Sequence, residues 1–446
     1  MSKLKINKYS QKCITNLFIT KKIKINLNNS FLELLEKIYL TAHDNITNRE
    51  NNYKIITTKN LCRLHKPDEY ALIYIHYLDL QKMAQQQNSN IIKTLEWEEF
   101  YNYYLMNSTE LNKLLDNPNT RIYDIIMNPI KDRKRLHENM YNNNFVTIDI
   151  QHICESNNLI YKKIIYKQHK IYLYEIEKKV NINLIIFIIE FMENFSKKDS
   201  RPLELVLFMS EQKKLISDFN EGIRDKSLGP FNINSGSSYV GKKIFIWRIE
   251  EVYKVLIHEL IHFYGIDNKI FRSSQYHNKS SHCIIGEDRI NESLTESIAV
   301  NIHTYILSKL LNKNFSELIN YEINFSLIQC KKLLNYYGIT DIANIINNNK
   351  NISKKSCDAT NLINQKTSVF SYFFIKTAFL INIINLYNFL DKYLENFSDP
   401  DIEKFDEFID LSLNKEYMDL VNSVNLDNIH DTFFANTLRM TCLEFS

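Results

Sequence analysis

The sequence predicts an α+β fold that is mostly helical, with a small mixed sheet near the middle of the chain. Apolar residues recur at three- and four-residue spacing in the first part of the chain and again beyond residue 286, which is typical of helices. Between residues 160 and 250, short runs rich in Ile, Val, Leu and Phe are separated by polar segments, which is typical of strands and turns. At 446 residues, the chain exceeds the size at which one core usually stops growing, so we expect two packed lobes.

Two regions are expected along the chain. Residues 1–160 should form a mainly helical accessory region, because residues 31–39 and 70–80 have helical periodicity and no site motif occurs there. Residues 161–446 should form the main domain. Within it, residues 161–265 are expected to hold the sheet and a central helix, and residues 286–446 a second site helix and a helical lobe.

Local patterns predict the elements of the main domain. The expected strands and extended segments are Ile164–Tyr174, Leu203–Phe208, Asn234–Tyr239 and Lys243–Arg248. The expected helices are Glu177–Asn194, a helix that follows Arg248 directly, Asp288–Leu311 and Ser368–Leu390. Most of the seven glycines lie between Gly222 and Gly286, where we expect tight turns or close backbone approaches.

Charge and cysteine usage exclude several classes of protein. The 55 basic and 52 acidic residues nearly balance, so neither nucleic acid nor an anionic membrane is expected as a partner. The seven cysteines are scattered and form no CxxC pair, which favours a reducing compartment over a disulfide framework. The first residues lack the apolar segment of a signal peptide. We therefore expect a cytoplasmic protein, in the host cytoplasm or the virion if the chain is viral.

One apolar stretch is long enough to span a bilayer. Val369–Leu390 is interrupted by Lys376 and by three asparagines, and a charge at that depth is costly in lipid. A buried core helix is the favoured interpretation, and no membrane span is expected. Oligomeric state is left open.

The most specific motif is His258-Glu259-Leu260-Ile261-His262. On a helix, residues four apart lie on one face, so both imidazoles can reach a single metal ion. Glu259 lies about 100° further round, where it can reach a water activated by the metal and act as the catalytic base. Glu250 and Glu251 are expected in the first turn of this helix, and Gly265 at its C-terminal cap.

A second pair of acidic residues strengthens the motif. Glu292 and Glu296 lie on the next predicted helix, four residues apart and on one face. Two carboxylates at that spacing repel, and a bound cation would remove the repulsion. We expect Glu292 to be the third metal ligand and Glu296 to accept a hydrogen bond from an imidazole N–H.

These residues resemble those of the gluzincins, zinc peptidases with HExxH on one helix and a glutamate ligand in an N-E-x-x-x-D/E motif on a following helix. His258–His262 and Asn291–Glu296 match both parts. The resemblance covers roughly residues 175–310 and implies a zincin-like lobe, one Zn²⁺ ion and hydrolysis of a peptide or protein substrate. The composition is also similar to that of metallopeptidases encoded by large DNA viruses.

The resemblance implies two further roles. In gluzincins an edge strand binds extended substrate, which points to the segment containing Asn234, Ser235, Gly236 and Ser237. A later Tyr or His stabilises the oxyanion. Tyr372 is the candidate, because Ser368, Tyr372 and Lys376 form a polar stripe on an otherwise apolar helix. An ordinary core tyrosine is an equally good interpretation.

A metzincin site is the main competing motif. Gly265 falls where HExxHxxGxxH has its glycine, but Asn268 occupies the position of the third His, and Asp267 lies one residue early. No methionine occurs between His262 and Met418, so a nearby Met-turn is absent. The gluzincin pattern fits better.

Two non-catalytic functions are also compatible with the sequence. The chain could be a catalytically inactive zinc-binding or interaction protein, or a structural protein with a chance motif. His303 is interpreted as a core residue, and Arg248 and Arg439 as members of structural ion pairs. His277, His282 and Cys283 are interpreted as part of a surface loop.

Overall fold

The computed structural model describes most of the chain outside two long gaps. The described residues are 5–17, 21–25, 29–47, 53–61, 135–136, 138–140, 142–157, 159–197, 199, 201–216, 227–267, 284–286, 288–346, 363–395, 402–427 and 429–445. Several expectations fall outside them, namely the helical periodicity at 70–80 and the loop with His277, His282 and Cys283.

Helices and strands are numbered in chain order. The α-helices are α1 (Lys8–Asn16), α2 (Ser30–Thr47), α3 (Ile148–Ser156), α4 (Ile182–Phe195), α5 (Pro230–Ile233), α6 (Val252–Tyr264), α7 (Asn291–Leu311), α8 (Phe315–Tyr337), α9 (Lys376–Ile381), α10 (Ile383–Glu395), α11 (Ile402–Ser412), α12 (Lys415–Ser423) and α13 (Thr432–Asn436). A 3₁₀ turn (Ile342–Asn344) and a π-helical turn (Phe370–Ile375) are also present. The strands are β1 (Tyr53–Leu61), β2 (Leu159–Tyr166), β3 (His169–Glu175), β4 (Glu204–Ser210), β5 (Gly236–Tyr239), β6 (Lys243–Arg248), β7 (Ile284–Ile285) and β8 (Ile363–Asn364). This mixture confirms the predicted α+β class.

The chain divides into two compact units. One unit comprises residues 53–180 and 204–212, and the other comprises residues 1–52, 181–203 and 213–446. The predicted boundary at residue 160 stays a prediction, since residues 62–134 of the expected accessory region lie outside the described residues.

Four strands of the smaller unit, β1 to β4, pair with one another in mixed orientation. Strand β2 pairs antiparallel with both β1 and β3, and β3 pairs in parallel with β4. The β2–β3 hairpin turns at Lys167, which has φ 50°. In β2 the buried side chains are Leu159 and Tyr161 on one face and Ile164 and Tyr166 on the other, so each face is buried over part of the strand. The hairpin confirms the expectation of strand or hairpin for Ile164–Tyr174.

The larger unit is mostly helical and contains the motif helix, α6. Helix α6 packs against α4, α7 and the β5–β6 hairpin. The apolar sequence of α4 explains this arrangement, because almost every side chain from Leu184 to Phe195 is buried. Helix α7 packs in turn against α8 and α9. The predicted helices at Glu177–Asn194 and Asp288–Leu311 are thus confirmed, with shifted ends.

The expected single helix over Ser368–Leu390 is wrong in one respect. The segment is helical and buried, but it is broken at Asn382, where the two halves bend by 99°. The Asn382 side chain donates hydrogen bonds to the carbonyls of Ala378 (3.0 Å) and Ser412 (3.2 Å), and its own backbone leaves helical geometry (ψ 38°). Within the described residues, no unbroken helix meets the length and hydropathy that a membrane crossing needs, whereas this bent pair of halves does.

Candidate metal centre

Helix α6 presents the HExxH residues at the centre of the larger unit. Its apolar residues, such as Leu256, Ile257, Leu260 and Ile261, are fully buried, which fixes the helix in the core. Gly265 ends the helix with φ 69°, in the left-handed region that glycine adopts at low cost, and its N–H donates to the His262 carbonyl at 2.9 Å. The predicted C-terminal cap is confirmed.

The predicted start of α6 is wrong. Glu250 and Glu251 precede the helix, and Glu251 has φ 60°. Their carboxylates satisfy buried donors instead: Glu250 accepts the Lys214 backbone N–H at 2.7 Å, and Glu251 pairs with the Lys214 ammonium at 2.7 Å. Glu251 also accepts the backbone N–H groups of Met440 and Thr441. Neutralising a buried lysine outweighs the modest gain of an acid at a helix N-terminus.

Three side chains from α6 and α7 converge on one point. The Nε2 atoms of His258 and His262 are 3.1 Å apart, and each lies 3.3 Å from Oε2 of Glu292. Ligand atoms about 2.1 Å from a tetrahedral ion lie about 3.4 Å from one another. These three residues are therefore spaced to hold a single metal ion. The prediction that His258, His262 and Glu292 lie together is confirmed, and their binding of a zinc ion stays a prediction.

Each imidazole is oriented by a carboxylate on its far side. His258 Nδ1–H donates to Oε2 of Glu296 at 2.9 Å, and His262 Nδ1–H donates to Oδ2 of Asp267 at 2.8 Å. With Nδ1 carrying the proton, Nε2 presents its lone pair to the metal position. Glu296 takes the place that the sequence predicted for it.

Asp267 is a site residue that the sequence motifs did not predict. It is buried, and the same Oδ2 accepts hydrogen bonds from Asn291 (2.8 Å) and Thr295 (3.1 Å) on α7. The left-handed turn at Gly265 brings the chain back over the last turn of α6, as the hydrogen bond from Ile266 N to Ile261 O shows. Gly265 was the one feature of the sequence that could have indicated Asp267, because a polar residue two positions after a glycine cap can reach the last turn of the helix.

The electrostatics of the metal-free site follow from its burial and its charges. Burial alone would lower the pKa of His262, but the carboxylates of Asp267 and Glu292 outweigh it and hold the pKa well above 6.5. Burial would raise the pKa of Glu292, yet the two imidazoles hold it well below 4.5. In the absence of a metal, the carboxylates therefore favour positive charge on the imidazoles, and a bound cation would replace the protons that carry it.

Glu259 differs from the other acids of the site. Among the described residues, no donor forms a hydrogen bond with its carboxylate, and burial raises its pKa above 4.5 against the lowering effect of both imidazoles. A cavity of about 20 Å³, room for at least one water molecule, adjoins Glu259, His258 and Tyr372. The carboxylate thus lies beside the metal position with its oxygens available to a small molecule.

Strand β5 approaches α6 closely through Gly236. A Cβ atom at this position would lie 2.6 Å from Oε1 of Glu259 and 2.9 Å from Cγ1 of Val255. Glycine is therefore required here, because any side chain would collide with the carboxylate. The predicted close backbone approach is found at this glycine.

The predicted substrate segment lies along the same cavity. Gly236 and Ser237 belong to β5, which pairs with β6, while Asn234 and Ser235 precede the strand. Within the described part of the chain, the buried Oδ1 of Asn234 and Oγ of Ser235 have no hydrogen-bond partner, and both residues line the cavity. The segment is placed where a ligand could satisfy these atoms, while its role in binding substrate stays a prediction.

Tyr372 lies at the site, as the sequence predicted. Its ring centroid is 6.1 Å from that of His258, and it lines the same cavity as Glu259. Burial, followed by the charges of Glu292 and Glu259, raises its pKa well above 10. The phenol therefore stays protonated and can donate a hydrogen bond at neutral pH, whereas its part in catalysis stays a prediction.

The remaining candidates do not join the site. His303 is buried against Phe445, and burial lowers its pKa to about 3. Arg439 pairs with Glu444 at 3.0 Å, and Arg248 donates to the Phe231 carbonyl. The interpretation of His303 as a core residue is confirmed, as is the structural ion pair of Arg439.

Comparisons with known proteins add one relationship. No protein-family model matches the chain, and no solved structure matches it. Over 210 residues, the chain is 24% identical to an uncharacterized protein of Acanthamoeba polyphaga mimivirus. The match covers 44% of this chain and 50% of that protein, so the chain spans about half the length of the relative it matches. The similarity supports a viral relationship.

Proposed function

We propose that this chain is a zinc-dependent peptidase of the gluzincin type. The observation that carries the proposal is the set of three ligand atoms, two imidazole nitrogens and one carboxylate oxygen, at mutual distances of 3.1, 3.3 and 3.3 Å. A Glu adjacent to the first ligand in sequence lies beside them with its carboxylate available. Three protein ligands leave a coordination position for a reactant, which distinguishes catalytic zinc sites from structural ones.

Zinc is favoured over other metals by the donor set and its surroundings. Two imidazoles and a carboxylate suit zinc, although the same set also holds Fe(II) in oxygenases. Glu259 favours zinc hydrolysis, since an oxygenase has no need of a general base next to its ligands. None of the ligand atoms is a sulfur, which separates the site from the cysteine-rich structural zinc sites.

The residues of this chain can perform the proton transfers of amide hydrolysis. When bound, zinc supplies Lewis acidity, which lowers the pKa of a coordinated water and polarises a carbonyl. Glu259 takes a proton from the attacking water and delivers it to the leaving amine as the C–N bond breaks. Burial raises the pKa of Glu259 toward neutral pH, and a pKa in that direction suits both the acceptance and the donation of that proton.

Two further elements bind the substrate in this proposal. Tyr372 donates its phenolic hydrogen bond to the oxyanion that develops on the scissile carbonyl. The polar segment from Asn234 to Ser237 holds the peptide in extended form, and the unsatisfied atoms of Asn234 and Ser235 provide hydrogen-bonding groups there.

Peptide cleavage tests the proposal directly. Zinc-loaded wild-type protein should cleave members of a peptide library, and Glu259→Gln should keep its zinc but lose cleavage by several orders of magnitude. His258→Ala should lose both the metal and the cleavage. Equal cleavage by wild type and Glu259→Gln would show a contaminating protease and contradict the proposal.

A zinc-binding protein without catalytic activity is the second candidate. The small size of the cavity beside Glu259, about 20 Å³, favours it, because an extended peptide needs more room than the described residues leave at that point. Zinc retained at one ion per chain together with no cleavage of any library member would support this candidate over the peptidase.

A further inference from the structure

A fully buried lysine lies one turn before the first metal ligand on α6. The side chain of Lys254 is 2% exposed, and its Nζ is 2.6 Å from Oε1 of Glu296. The other oxygen of the same carboxylate, Oε2, accepts the Nδ1–H of His258 at 2.9 Å. Lys254, Glu296 and His258 therefore form one continuous chain of contacts that ends at the metal position.

Glu296 needs a partner on its second oxygen. It is fully buried on α7, so an unpaired Oε1 would lose its hydration without compensation. The carboxylate would then turn toward other donors or bind a proton, and His258 would lose a fixed acceptor. The ammonium of Lys254 supplies a charge-assisted hydrogen bond that prevents this.

The ammonium of Lys254 also contacts Met440, whose backbone is held by two further residues. Its Nζ lies 3.7 Å from Sδ of Met440, and the backbone N–H of Met440 donates to Glu251 at 2.7 Å. The Met440 carbonyl accepts from Nζ of Lys376 at 3.0 Å. These contacts hold Met440 against the end of the Lys254 side chain, and they limit where the ammonium can lie.

We infer that Lys254 is a positioning residue of the metal centre, which holds Glu296 in the orientation that aims His258 at the ion. This inference rests on the metal centre of the proposed function. It extends that centre to a residue outside the HExxH motif. The other imidazole, His262, is oriented by Asp267, whose partners Asn291 and Thr295 are neutral, so His262 is independent of Lys254.

The structure offers a matched control for the substitution Lys254→Met. Lys332 on α8 is also buried, but among the described residues it donates only to the backbone carbonyls of Phe434 (2.9 Å) and Thr437 (2.7 Å). Lys254→Met should weaken zinc binding by about tenfold or more, the range found when partners behind metal ligands are removed. Lys332→Met should leave the zinc dissociation constant unchanged. Competition with a chromophoric chelator measures both.

Nuclear magnetic resonance of metal-free protein labelled with ¹⁵N-histidine separates positioning from general loosening. Lys254→Met should shift or broaden the Nδ1–H resonance of His258 and leave that of His262 in place. A change of both resonances alike would contradict the inference.

A double substitution keeps the test decisive if Lys254→Met folds poorly. Lys254→Met/Glu296→Gln removes both charges of the buried pair, and it should bind zinc as weakly as Glu296→Gln alone. Additive losses would overturn the positioning role. An unchanged dissociation constant in Lys254→Met would overturn this inference and leave the proposed function standing, whereas wild-type protein that binds no zinc would overturn both.

Discussion

Replacing Gly236 with alanine tests whether the close approach of β5 positions the catalytic base. The added Cβ would lie 2.6 Å from Oε1 and 2.9 Å from Cγ of Glu259. Carbon contacts are comfortable from about 3.5 Å, so the carboxylate must move by about 0.9 Å. A displacement of about 1 Å at a reacting group costs on the order of 100-fold in rate. The three atoms nearest to the added Cβ belong to Glu259 and Val255, and none belongs to His258, His262 or Glu292.

We therefore expect Gly236→Ala to lower kcat/KM for peptide cleavage by about 100-fold while zinc affinity stays within about twofold of wild type. Gly229→Ala is the matched control, since the sole described side chain within 4 Å of its Cβ is Lys366, at 3.3 Å. Cleavage of a fluorogenic peptide chosen from the library gives the rate, and chelator competition gives the zinc affinity. Full activity in Gly236→Ala, or a loss explained by lost zinc, would refute this account of the glycine.

Three further predictions concern single side chains. Asp267→Asn should weaken zinc binding by about 10- to 100-fold, because His262 loses the charged acceptor of its Nδ1–H; equal affinity in chelator competition would contradict that role. Tyr372→Phe should keep its zinc and lower kcat by about 10²- to 10³-fold with little change in KM, and steady-state kinetics with an unaltered kcat would remove Tyr372 from the mechanism. Burial opposes ionisation of Glu251, but Lys214 and the other nearby cations hold its pKa at about 2. Because this folded-state pKa lies below the ordinary 4.5, Glu251 stabilises the fold above pH 4.5, and that stability is lost as the pH falls toward 2. Glu251→Gln should lower the free energy of unfolding by about 3–5 kcal/mol at pH 7 and by much less at pH 3, as measured by urea denaturation; a loss independent of pH would contradict the charge argument.

The spacing of residues in the sequence was sufficient to predict which side chains of the site share one face of a helix. Helical spacing alone places His258 and His262 on one face, and the same rule places Glu292 and Glu296 on one face of α7. The convergence of the two helices could be expected only because a buried set of polar side chains requires partners. The observed distances show that those partners are one another.

The contacts that local pattern could not predict join residues far apart in sequence. Lys254 binds Glu296 across two helices, and Glu251 binds backbone groups of segment 440–441, nearly 190 residues later. The periodicity of apolar residues in a sequence carries no information about such contacts. The prediction that Glu250 and Glu251 lie in the first turn of α6 was wrong for the same reason. An acid at a helix N-terminus stabilises by about 0.3–1 kcal/mol, which is less than the cost of leaving a buried lysine unpaired.

The break at Asn382 has a similar origin. An asparagine within an apolar stretch was interpreted as a polar interruption of one helix, whereas its side chain bonds to Ser412 on α11 and ends the first half there. An asparagine side chain can compete with the hydrogen bonds of its own helix, which is a local effect. Whether it ends the helix here depends on the position of α11, which supplies the Ser412 carbonyl.

X-ray absorption at the zinc edge of the purified chain tests the central claim most directly. We expect one zinc per chain, coordinated only by nitrogen and oxygen at about 2.0–2.2 Å, with two imidazoles that are reduced to one in His262→Ala. A spectrum with sulfur ligands, or one that His258→Ala, His262→Ala and Glu292→Ala all leave unchanged, would contradict the claim that these three side chains share a metal ion.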